Sequence, residues 1–166
     1  MSDGADFVIS IHTVHARRIL SGEKTVELRR RVARLRPGTR LWIYETLPVA
    51  AVTGYATVVR CDRDAPEELW RRYSDAIGVG RDAFFSYLDG CVEAVAIILT
   101  AATSFSPAAT AADLRRGRDG FRAPRVTAEL STGQVDMLLA LAERAERPEQ
   151  KEGPRRRECK ILRGVI

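Results

Sequence analysis

The chain has 166 residues, 45% hydrophobic and 30% charged, with a net charge of +5. That is one domain's worth of an ordinary globular protein, long enough to bury a core, and no apolar run approaches the ~20 residues of a membrane helix. Cys61, Cys91 and Cys159 lie far apart and the histidines are only His12 and His15, so no disulfide framework, metal or cofactor is expected. The first residues carry Asp3 and Asp6, with no basic start or apolar stretch for export, which makes the cytoplasm the expected compartment.

In chain order, Phe7 to Ile11 reads as a short strand and His15 to Leu20 as a short helix capped by Thr13 and ended by Gly22. Thr25 to Val32 alternates as a strand, with Val26 and Leu28 on one face and Thr25, Glu27, Arg29 and Arg31 on the other. A turn at Arg36 to Thr39 leads to strands at Leu41 to Glu45 and Val52 to Arg60, separated at Pro48. Pro66 opens a helix that Gly78 ends, Arg81 to Leu88 forms a second, and Val92 to Thr100 returns as a strand. Ala101 to Arg125 is mixed, with a helical turn near Leu114, and Ser131 begins an amphipathic helix through Val135, Leu138, Leu139 and Ala142. Residues 1–146 thus read as one α+β domain with a partly closed antiparallel sheet and short flanking helices; 147–166 read as a basic tail.

The placement of charge is more informative than its total. From Thr13 to Arg40 nine Lys or Arg stand against two Glu, and from Arg147 to Ile166 seven stand against three. Such blocks concentrate positive potential against a polyanion, which points to nucleic acid or a nucleotide as partner. An arginine coding bias contributes too, because only Lys24, Lys151 and Lys160 of the 27 basic residues are lysine.

That bias singles out Lys24. It follows the helix-ending Gly22 and enters the strand bearing Glu27, Arg29 and Arg31, so a turn at Gly22 would set an ammonium, a carboxylate and guanidinium groups at one mouth. Unlike arginine, a desolvated lysine can shed its proton and act as a base. A surface lysine paired with Glu27 is the plainer reading.

Gly22-x-Lys24-x-x-Glu27, preceded by Ile9-Ser10-Ile11 and Ala16-x-x-Ile19-Leu20 and followed by Arg29-Arg30-Arg31, resembles the ASCH-domain signature. The resemblance continues through Leu41-Trp42-Ile43-Tyr44-Glu45-Thr46, Gly54-x-Ala56-x-Val58, Leu69-Trp70-x-x-Tyr73 and Ala94-x-Ala96-Ile97, and covers roughly 7–142. It implies a PUA-like β-barrel whose cleft is lined by the Gly22–Arg31 segment, similar to modules that hold an RNA base in a pocket. Some relatives are amidohydrolases that deacylate acetylated cytidine with a lysine matching Lys24 and a threonine three positions on; this chain has Glu27 there, with Thr25 adjacent. Other relatives have been described as ribonucleases, although no hydrolytic pair for that reaction stands out in this sequence.

The leading expectation is therefore an RNA- or nucleotide-binding protein, with Arg29 and Arg31 on phosphate and Lys24 and Glu27 on a base. The competing one is a small amidohydrolase on an acylated nucleoside or related amide, with Lys24 as catalytic residue and Glu27 or Glu45 carrying the proton. Trp42 and Tyr44 share a strand face; one is expected in the core, while the other is open to base stacking. His12, at a strand end beside the motif, is a candidate phosphate or base contact, whereas His15 reads as exposed.

Overall fold

The computed structural model describes residues 5–117 and 119–146, so the basic tail expected at 147–166 lies outside the described residues. Its strands are β1 (Phe7–Ile11), β2 (Val26–Arg29), β3 (Arg40–Glu45), β4 (Ala51–Asp64), β5 (Ala94–Thr110) and β6 (Thr127–Glu129). The helices are α1 (Thr13–Leu20), α2 (Pro66–Ile77), α3 (Arg81–Tyr87), α4 (Ala111–Arg116) and α5 (Thr132–Glu146). The strands form one curled half-barrel sheet in the order β2-β5-β4-β3-β1-β6. Neighbours are antiparallel except β1 and β3, which run parallel because α1 and β2 intervene between them.

The middle of the sheet is buried on both faces, which is why its strands are almost wholly apolar. In β3, Leu41 and Ile43 pack with Ile9, Ile11 and Ile19 beneath α1, while Trp42 and Tyr44 face Phe105, Phe121 and Leu138 beneath α5. A third apolar cluster joins Val26 and Leu28 of β2 to Leu69, Ile77, Phe84 and Leu88 of α2 and α3. Helix α1 reaches the sheet because of Gly54, where a Cβ would collide with the Thr103 carbonyl and the Leu20 side chain.

Four local expectations are corrected. Thr13 does not cap α1; His12 is the N-cap residue, with no side-chain bond to the helix. The strand expected from Thr25 to Val32 is only β2, ending at Arg29, because its partner β5 begins its pairing there, at Val95. The strand expected from Val92 to Thr100 runs on to Thr110, because β4 continues beside it and supplies hydrogen-bond partners as far as Ala51. The three-residue β6, unforeseen beside Pro124, is held by β1. Elsewhere punctuation and structure agree: Pro66 opens α2, Gly78 ends it at φ +73°, and Ser131 and Gln134 exchange bonds at the start of α5.

Candidate functional site

Helix α1 is capped at its C-terminus by Ser21, and Gly22 at φ +81° turns the chain so that Lys24 enters the interior. Lys24 is only 3% exposed, and its ammonium donates to the carbonyls of Val26 at 2.8 Å and Ile77 at 2.5 Å and lies 3.3 Å from Glu27 Oε2. The other Glu27 oxygen is 3.0 Å from a terminal nitrogen of Arg29, which also donates to the Ser10 carbonyl at 2.7 Å. All three ammonium hydrogens of Lys24 therefore have an acceptor, and two cations enclose one carboxylate. Arg18 fastens the rear of this arrangement by donating to the Gly78 carbonyl at 2.5 Å, which ties α1 to the end of α2. Burial lowers the Lys24 pKa from its ordinary value; Glu27 opposes the shift.

This chain of charges floors a cleft of about 450 Å³ between α1, β2 and α3. His12, His15 and Thr46 stand on one side, with the His12 Nδ1 3.4 Å from the Thr46 hydroxyl. Opposite are Val79, Phe84 and Tyr87, and Arg125 closes the edge. Tyr87 is 43% exposed and carries the Arg30 guanidinium 5.5 Å from its ring centre. Burial, and next the Lys24 charge, hold the His15 pKa below 6.5, so its imidazole is neutral at pH 7.

A second cleft, of about 580 Å³, opens on the other side of α1, lined by Arg17, Leu20 and Ser21 together with Glu45, Thr53 and Phe105. Consecutive residues at the end of β3 point into different clefts: Glu45 into this one, Thr46 into the first. Glu45 is only 4% exposed, and its Oε2 has no hydrogen-bond partner among the described residues; Arg17 Nε is 4.0 Å away.

Of the residues singled out from the sequence, Lys24, Glu27, Arg29 and His12 meet at the first cleft. Gly22 and Thr25 belong to the exposed turn leading into it. Arg31 falls beyond the end of β2 and is exposed, so it does not join the row of charges. Glu45 belongs to the second cleft. Trp42 and Tyr44 both lie in the core, because β3 is central: Trp42 donates its indole N–H to Asp6 at 2.8 Å, and Tyr44 packs on Phe121. His15, read from the sequence as exposed, is instead half-buried with its Nδ1 covered and lines this cleft, and Tyr87 and Arg125 were passed over. For His15 a signal existed, since three residues after His12 it shares that residue's helix face. Arg125 is brought in by a loop whose path nothing local announces.

A curled six-stranded half-barrel with short flanking helices is the α+β fold of a PUA-like domain. A family profile described as a domain of unknown function (DUF365) matches residues 7–118. A protein of Zymomonas mobilis named "ASCH domain-containing ribonuclease" is 32% identical over 150 residues, spanning 87% of this chain and 97% of the relative. The crystal structure of ASCH from Zymomonas mobilis superposes with a TM-score of 0.79 at 29% identity, covering 82% of this chain and 95% of that one. A protein from Leishmania major shares the fold at 13% identity, with a TM-score of 0.56 over 87% of this chain and 98% of its own. The chain belongs to the ASCH-domain family and carries the DUF365 domain.

Proposed function

We propose that this chain binds single-stranded RNA across the mouth of the Lys24 cleft and cleaves it there. One observation carries the reading: a single cleft joins a fixed, buried net positive charge, two histidines and an exposed aromatic ring flanked by arginine. The name of the Zymomonas relative supports it. A base would stack on Tyr87, and the adjacent phosphate would meet Arg29 and Arg125. Neutral His15 would take the proton of the ribose 2′-OH as that oxygen attacks the neighbouring phosphorus. The bond from phosphorus to the 5′ oxygen then breaks, and that oxygen leaves with a proton from His12. The products are a cyclic 2′,3′-phosphate and a free 5′-hydroxyl.

Incubation of labelled single-stranded RNA and of DNA of the same sequence tests this. RNA should be cut and DNA bound but intact, because only RNA has the attacking hydroxyl. Affinity should fall steeply with salt. His12→Ala and His15→Ala should retain binding and lose cleavage. RNA that is neither bound nor cut would overturn the reading.

The lowered pKa of Lys24 favours a second reading, an amide hydrolase with Lys24 as its base. It requires the amine to release a proton that three acceptors hold, so it has less support. Turnover of N4-acetylcytidine that disappears in Lys24→Met would favour it over RNA cleavage.

A further inference from the structure

We propose that the second cleft is a guanine-selecting site, reading the base edge with Glu45 and Arg17; in its RNA setting this rests on the proposed function above. The observation is a carboxylate left without a donor. Glu45 has a side chain 5% exposed and lines the cleft, yet its Oε2 has no hydrogen-bond partner among the described residues, nor has the buried Thr53 hydroxyl beside it. A buried polar group in that condition costs stability unless something donates to it, and an ionised carboxylate can only accept.

The surroundings select the donor. A metal ion is disfavoured by the Arg17 guanidinium, whose Nε lies 4.0 Å from the same oxygen, and by the lack of a second carboxylate in the lining. A flat neutral group presenting two donors beside one acceptor fits both charges. Guanine has that edge: N1–H and the exocyclic amine for Glu45, and O6 for Arg17. Leu20 and Phe105 supply apolar contact for the ring, and about 580 Å³ accommodates a nucleoside. Both clefts share α1, so a strand crossing that helix would place one nucleotide in each.

The test is titration calorimetry of the whole chain with guanosine, inosine and adenosine. Inosine lacks the exocyclic amine; adenosine lacks O6 and the N1 hydrogen. Guanosine should bind about tenfold or more tighter than inosine, as expected for a paired donor edge, and adenosine weakest. Glu45→Gln should bring guanosine down to the inosine level, and the exposed Arg17→Met should weaken guanosine and inosine in parallel. Should Glu45→Gln fail to fold by circular dichroism, the wild-type ratio and Arg17→Met decide. Equal affinities, no nucleoside binding, or a guanosine preference that survives Glu45→Gln would overturn the proposal. Filter binding of single-stranded RNA separates the two readings. Selectivity without RNA binding sinks only the RNA reading, and RNA binding without selectivity sinks only the guanine site.

Discussion

The two clefts flanking α1 treat a buried carboxylate in opposite ways. Glu27 has an ammonium on one oxygen and a guanidinium on the other. Glu45 is as deeply buried, yet keeps an oxygen without a donor, and its nearest cation is largely exposed. A satisfied charge is part of the scaffold, whereas an unsatisfied one is available to a ligand. Lys24 and Glu27 are thus paired within the floor of the first cleft, while Glu45 Oε2 faces the second without a donor.

The contrast breaks most directly at Lys24. Lys24→Met leaves Glu27 buried beside a single cation and should cost about 3–5 kcal/mol, the usual penalty for removing one member of a buried pair. Urea unfolding measures it, and adding Glu27→Gln to Lys24→Met should recover part of the loss. A cost below about 1 kcal/mol would mean the pair is loosely held. Next is Gly54→Ala, whose added methyl collides with the Thr103 backbone and with Leu20; overpacking of this kind costs about 1–3 kcal/mol and would push Leu20 into the second cleft.

A smaller effect sharpens the electrostatics of the first cleft. The unfolded chain protonates His15 near pH 6.5, but the folded chain does so only at lower pH. Stability should therefore decline as pH falls below about 6.5 and level off once pH passes below the folded value. Urea midpoints at pH 7.5 and 5.5 should differ less in His15→Gln than in the wild type. The smallest effect is the most telling for the comparison. Glu45→Gln should leave stability unchanged or raise it slightly, because Oε2 has no hydrogen-bond donor to lose and its one nearby cation, Arg17 at 4.0 Å, is largely exposed. A large destabilisation would show that Glu45 is structural after all.

The elements and the first cleft were legible in the sequence to different depths. Pro66, Gly78, Gly22 and Ser131 mark helix ends by local chemistry, so they can be read without tertiary knowledge. The Lys24–Glu27–Arg29 relation was visible because all three sit within one turn and strand. Arg31 was misread because the alternation of charges continues past the point where β5 stops supplying a partner. Trp42 and Tyr44 illustrate another limit, since spacing places them on one face but cannot tell whether that face is covered. Here α5, ninety residues later, covers it. Glu45 and Thr46 went to different clefts for the same reason, because α1 divides the space above them.

Strand β2 closes one edge of the sheet and is bonded along its length only to β5, whereas β5 is held by β2 on one side and β4 on the other. Amides of β5 near Ile97 should thus exchange with solvent only on global unfolding, while those at the β2 edge exchange through local opening. The charge-bearing floor of the first cleft consequently rides on an edge strand of the sheet. Its amides should therefore open on a faster timescale than those of the doubly paired strands at the middle of the sheet.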